Sequence, residues 1–143
     1  PTDFEVNDIF YVWESNMEEK RSMEKLEMIN DGQKEALFIE FNLYTHGRYP
    51  TTFRFIPDDF LIQLNVNGQK IDEERIKASW PWGKDIYLGD YLRRGQNQIQ
   101  AKIQDVGGGA GLILKKSRRD FIFMLAQASV ATLVLLYGFR RIH

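Results

Sequence analysis

The sequence predicts an all-β domain, an antiparallel jelly roll or β-sandwich of about seven to eight strands, followed by a single C-terminal transmembrane helix. Three observations carry this. Short runs of alternating apolar and polar residues recur through residues 36–114, each bounded by glycine, proline or Asn-Gly turn signals. No long stretch before residue 115 keeps a helical period. Phe121 to Phe139 then offers nineteen residues without a formal charge.

Residues 4–13, F-E-V-N-D-I-F-Y-V-W, are aromatic and β-branched and read as a strand or an extended arm, with Phe4, Phe10, Tyr11 and Trp13 packed on the domain as a first strand or against a partner. Ser15 with Glu18 three residues on has the form of a capping box, so M-E-E-K-R-S-M-E-K-L reads as a short charged helix. The stretch E-K-L-E-M-I-N alternates well enough for a strand, which leaves both readings open. Asp31-Gly32 marks a turn.

From Ala36 the period of two is clear. Leu37, Ile39, Phe41 and Leu43 alternate with Phe38, Glu40, Asn42 and Tyr44, the pattern of a half-buried strand. His46 to Pro50 breaks it. Phe53 and Phe55 alternate with Thr52 and Arg54 in a strand that Pro57 is expected to end. Phe60, Ile62, Leu64 and Val66 are expected on one face, Leu61, Gln63 and Asn65 on the other. Asn67-Gly68 is the strongest short-range hairpin signal, and Gln69-Lys70-Ile71 returns.

Residues 72–85 are polar and irregular around Trp80-Pro81-Trp82-Gly83, whose tryptophans either cap the core or line a surface site. Ile86-Tyr87-Leu88 resumes an extended course, and Arg94-Gly95-Gln96-Asn97 reads as a second chain reversal. Ile99, Ala101 and Ile103 then alternate with Gln98, Gln100, Lys102 and Gln104, one apolar face against one polar face. A glycine-rich loop, Asp105 to Gly111, leads into a last short strand, Leu112-Ile113-Leu114. A phosphate-cradling loop would open a helix and carry Lys followed by Ser or Thr; here a strand is expected to follow.

At the helical rise, residues 121–139 reach about 28 Å, close to the hydrocarbon thickness of a bilayer. Lys115, Lys116, Arg118 and Arg119 fence this run on one side, Arg140 and Arg141 on the other, and Phe121, Phe123, Tyr137 and Phe139 sit near its ends. The expected layout is an N-terminal arm with a first strand or short helix over 1–35, a sandwich core over 36–114, a basic juxtamembrane belt over 115–120, a transmembrane helix over 121–139 and a short basic tail over 140–143. Within the span, Gln127, Ala128, Ala131 and Thr132 form a small, weakly polar stretch suited to packing on another helix. Lys115, Lys116, Arg118 and Arg119 suit lipid headgroups.

Residues 1–114 hold 13 of the 19 Lys+Arg and 19 of the 20 Asp+Glu, a net charge of −6. An acidic domain argues against nucleic acid as a partner. The absence of cysteine excludes disulfides, thiolate metal sites and cysteine nucleophiles. The opening residues, P-T-D-F-E-V-N-D, lack the basic and apolar regions of a secretory leader. By the positive-inside rule the sandwich is expected in the cytoplasm, and outside it if an upstream leader or span has been lost.

The catalytic inventory is thin. His46 and His143 are the two histidines, and no G-x-S-x-G elbow occurs. Asp58 and Asp59 are paired carboxylates of the kind used in acid–base chemistry or calcium binding, but adjacent aspartates after a proline also suit a turn or strand entry. No catalytic residue, metal ligand or cofactor site is assigned.

The segment Ile56-Pro57-Asp58-Asp59-Phe60-Leu61-Ile62-Gln63-Leu64-Asn65-Val66-Asn67-Gly68-Gln69-Lys70-Ile71 resembles the strand, hairpin and return strand of galactose-binding-like jelly-roll domains. Tyr87-Leu88-Gly89-Asp90-Tyr91-Leu92-Arg93-Arg94-Gly95-Gln96-Asn97-Gln98-Ile99 and Asp105 through Leu112 are similar to later segments of the same domains. The resemblance spans roughly residues 36–114. It implies the sandwich, as found beside glycosidase domains and in bacterial envelope proteins, and it raises carbohydrate as a partner. Trp80, Trp82, Tyr87 and Asp105 are the candidate ligand or partner surface.

The expected function is a non-catalytic accessory subunit of a larger membrane complex, anchored by one helix, with other integral membrane subunits and the lipid bilayer as partners. The alternative is a membrane-anchored carbohydrate-binding module, part of a glycosyltransferase or glycosidase.

Overall fold

In the computed structural model the described residues are 4–29, 33–46 and 50–117, together with Ala126 and Ser129. They contain ten strands: β1 (Phe4–Trp13), β2 (Asn16–Met23), β3 (Met28–Ile29), β4 (Ala36–Thr45), β5 (Thr52–Asp58), β6 (Phe60–Val66), β7 (Gln69–Lys70), β8 (Lys84–Tyr87), β9 (Gly95–Gln104) and β10 (Ala110–Lys116). Every pairing is antiparallel. One sheet runs β2-β1-β4-β9-β6-β7 and the other β3-β10-β5-β8. Their inner faces share one core, with Leu37, Ile39, Phe41, Leu43, Ile99 and Ile103 from the first sheet meeting Phe53, Phe55, Ile86 and Leu112 from the second. The all-β sandwich expected from the alternation is therefore present, with more strands than the seven or eight expected, because β3 and β7 are two-residue pairings too short to leave a period.

Unbroken alternation translated directly into structure in β4 and β9. Leu37, Ile39, Phe41 and Leu43 are buried, as are Ile99, Ala101 and Ile103, and these two strands pair without interruption from Ala36↔Gln104 to Thr45↔Gly95. Asn67 and Gly68 both take positive φ, 51° and 80°, and join Val66 to Gln69 in a two-residue hairpin. That conformation costs a side chain least at Asn and Gly.

The structure corrects five local expectations. The charged stretch after Ser15 is strand β2, not a helix: it is an almost wholly exposed edge strand, and its pairing with β1 outweighs the helix propensity of Glu and Lys. Ser15 donates to Glu35 rather than capping a helix, its Oγ lying 2.6 Å from Glu35 Oε1. Pro57 lies inside β5; its partner strand β8 ends opposite Phe55, so Pro57 falls where the sheet has β10 on one side only. Gly95 and Asn97 belong to β9, and the chain reverses earlier, at residues 89–91. The last strand is longer than Leu112–Leu114 and takes in Lys115 and Lys116.

The fifth correction concerns faces. In β6 the register shifts between Leu61 and Gln63, so Leu61, Leu64 and Val66 are buried while Phe60 and Ile62 are exposed. A second shift, between Asn7 and Phe10 in β1, has Asp8 at φ 51°. It places Phe4, Val6, Ile9, Tyr11 and Trp13 against the core and turns Phe10 and Val12 outward. Each extra residue changes the parity of its strand.

No helix among the described residues is long and apolar enough to cross a membrane. The expected span 121–139 and tail 140–143 lie outside the described residues apart from Ala126 and Ser129, as do Arg118 and Arg119, the helix-packing candidates Gln127, Ala128, Ala131 and Thr132, and the Asp31-Gly32 turn.

Candidate functional site on the outer face of the six-stranded sheet

The two parity changes assemble a surface that no single strand predicts. Across the outer face run two adjacent cross-strand rows. Val12, Phe38, Lys102 and Gln63 form one; Phe10, Glu40, Gln100 and Asn65 form the other. Together with Met17 and Lys20 of β2 they line a groove of about 390 Å³. Met17 is 55% exposed.

Its two ends differ chemically. At the β1–β2 end the rings of Phe10 and Phe38 are each capped by an ammonium group, Lys20 Nζ at 4.4 Å from the first centroid and Lys102 Nζ at 5.2 Å from the second. Lys20 also pairs with Glu40 at 2.5 Å. At the β6 end lie the amides of Gln63, Asn65 and Gln100, and Asn65 Oδ1 has no hydrogen-bond partner among the described residues. The arrangement suits a contact combining apolar, cationic and amide groups.

The residues singled out from sequence do not converge on one site. Trp80 and Trp82 lie on the surface, 47% and 80% exposed, in a loop held where Arg54 Nη1 donates to the Trp82 carbonyl and Trp80 N donates to the Asp59 carbonyl. Tyr87 ends β8 opposite Thr52, at the other pole of the sandwich. Asp105 is buried and accepts from the main-chain nitrogens of Lys34 at 2.8 Å and Gly107 at 3.0 Å, so its carboxylate is used in fixing loops. Lys115 and Lys116 are exposed at the end of β10, opposite Arg54 and Phe53.

Asp58 and Asp59 form a local cluster with Asp105. Asp59 Oδ2 accepts from Val106 N at 2.7 Å, which ties the end of β5 to the glycine loop. Burial raises the Asp58 carboxyl to about 6, with the hydrogen bond to Asp59 and the charges of Asp59 and Asp105 adding to it. A raised carboxyl beside an ionised one is the pattern of an acid–base pair. Here, though, the oxygens of Asp59 and Asp105 hold backbone, and among the described residues no group of His, Asp and Glu is arranged to hold a metal ion. Strand β10 follows the glycine loop, so the loop lacks the helix of a phosphate cradle.

Comparison with protein families and with curated proteins gives no match. Among solved structures, the chain is similar to a GH31 alpha-xylosidase from Xanthomonas citri, at 13% identity and a TM-score of 0.32 over 78% of this chain. The chain spans 13% of that protein's length.

Proposed function

We propose that this chain is a non-catalytic accessory subunit of a larger membrane assembly, a galactose-binding-like sandwich tethered by a span at residues 121–139 and working through protein contacts. The observation that carries this reading is the uncovered outer face of the six-stranded sheet. This face presents Met17, 55% exposed, with half-buried Phe10, Val12 and Phe38 beside it, a contiguous apolar surface of the kind a partner covers. The uncharged run 121–139, with Gln127 near its middle, supplies a second contact surface inside the bilayer. The two antiparallel sheets, the Asn67-Gly68 hairpin and the glycine loop support the galactose-binding-like assignment.

Two measurements test the subunit. A photo-crosslinker placed at Phe38 in the full chain, in its native membrane, should capture a discrete neighbouring subunit, and gentle detergent extraction should recover a large assembly. A lone monomer with no crosslink would remove the proposal. Gln127→Leu tests the span separately: recovery of the assembly should fall if the amide bonds to a neighbouring helix.

A carbohydrate-binding module is the second reading, and the exposure of Trp80 and Trp82 favours it. Flat aromatic surface in one loop is the usual platform for a sugar ring. Retention of the full chain on a glycan array, abolished by Trp80→Ala with Trp82→Ala, would support this reading. No retention of the unsubstituted chain would end it.

A further inference from the structure

The register places all the chemistry of one pole together. At this pole Phe4 lies opposite Thr45, Thr45 opposite Gly95, and Thr52 opposite Tyr87. Here too β10 ends: Lys116 lies opposite Phe53, and Ser117 N donates to the Thr52 carbonyl. A cleft of about 610 Å³ opens at this pole, lined by Thr45, Tyr87, Leu92, Arg93 and Arg94 among others. Both arginines are exposed, and neither forms an ion pair among the described residues. Tyr44 and Tyr87 stand exposed beside them, 38% and 46%.

The opposite pole is acidic. Glu14, Glu35, Asp58, Asp59 and Asp105 gather where β1, β5 and β9 end and β4 begins. At the cleft pole the acids include Glu5, beside His46 at 3.6 Å, Asp90, and Asp85, paired with Arg54 at 3.0 Å on the same cross-strand row as Lys115; against them stand Arg54, Arg93, Arg94, Lys115 and Lys116. A domain acidic as a whole thus presents its basic end where the chain leaves β10.

We propose that the cleft bearing Arg93, Arg94, Tyr87 and Leu92 docks against anionic phospholipid headgroups, seating the sandwich on the bilayer by this pole. The inference rests on residues 121–139 crossing the membrane. Residues 118–120 then reach at most about 14 Å between Ser117 and the span, which holds this pole, and not the acidic one, within headgroup distance. Guanidinium groups take phosphate bidentately, tyrosine rings favour the interface, and the surface potential of an anionic leaflet attracts this end while repelling the other.

The chain has no cysteine, so single labelling sites can be introduced cleanly. The full chain would be labelled at Gln96→Cys, beside the cleft, or at Val106→Cys, exposed at the acidic pole, and placed in vesicles of phosphatidylcholine alone or mixed with phosphatidylglycerol. In mixed vesicles the label at 96 should be shielded from an aqueous quencher and re-exposed by salt, while the label at 106 stays open. Arg93→Gln with Arg94→Gln should lower the docked fraction roughly tenfold with an unchanged circular dichroism spectrum. Equal shielding of the label at 96 in neutral and anionic vesicles, or shielding of the label at 106, overturns the docking while leaving the anchor standing. Failure of the chain to float with vesicles of either composition removes the anchor, and the docking with it.

Discussion

The side chain of Asn67 donates to Oδ1 of Asn97 at 2.8 Å, joining the β6–β7 hairpin to the start of β9. The same Asn97 oxygen accepts from Arg93 N at 2.7 Å, and its amide nitrogen donates to the carbonyls of Leu43, Arg93 and Gly95. Asn67 Oδ1 in turn accepts from Gln98 N at 2.9 Å. Asn97 is fully buried and its amide is saturated, so it links β4, β9, the hairpin and the loop before β9.

Asn97→Ala should therefore destabilise the fold by about 2–4 kcal/mol, since it strands several buried polar groups at once. Asn67→Gly, which keeps the positive φ without a Cβ, should cost less, because it removes bonds to Tyr91, Asn97 and Gln98 at a half-buried site. The ratio of the two, from chemical denaturation followed by near-ultraviolet circular dichroism, checks the assignment; equal small effects would contradict it.

A second prediction separates the observed faces of β6 from those that simple alternation gives. Leu61 is 4% exposed and Ile62 37%. Leu61→Ala should cost about 2–4 kcal/mol and Ile62→Ala less than about 1 kcal/mol. Uninterrupted alternation from Phe60 to Val66 would require the reverse order, so two denaturation curves decide the register.

That contrast shows what local pattern could and could not convey. In β4 and β9 the period of two is unbroken, so the inward positions, and the outward Phe38, Glu40, Gln100 and Lys102, were readable from the chain. In β1 the Asn7-Asp8 pair was a signal, because those residues tolerate the positive φ found at Asp8. In β6 no residue type marks the shift. The groove also depends on which strands are neighbours, and β1 next to β4 next to β9 next to β6 is a long-range pairing invisible to local pattern. Trp80, Trp82, Tyr87 and Asp105 were grouped by residue type, and the topology separates them because Tyr87 and Asp105 close opposite ends of the sheets.

The glycine loop gives a third prediction. Gly111 has φ 150°, and a Cβ there would stand 2.4 Å from the Glu27 carbonyl oxygen and 2.9 Å from Met28 Cα. Both obstacles are backbone, so neither can rotate away. Gly111→Ala should cost about 1–3 kcal/mol and loosen β3 from β10. Faster amide exchange at Met28 and Ile29 than in the unsubstituted chain, with β4 and β9 unchanged, is the expected signature.

Asp58 gives the pH dependence. Its carboxyl is raised from an ordinary 3.8 to about 6, first by burial and then by Asp59 and Asp105. The folded state therefore holds this proton more tightly than the unfolded chain does. Its contribution to stability is fully present below about 4, falls as pH rises from about 4 to about 6, and is lost above that. Asp58→Asn removes the titration while keeping an acceptor and adding donors next to Asp59. The substituted chain should be more stable than the original near neutral pH, and its advantage should shrink steadily as pH falls from about 6 to about 4. Melting temperatures of both chains across that window read Asp58 together with its hydrogen-bonded neighbour Asp59. A difference between the two chains that does not vary with pH would show that Asp58 ionises alike in the folded and unfolded states.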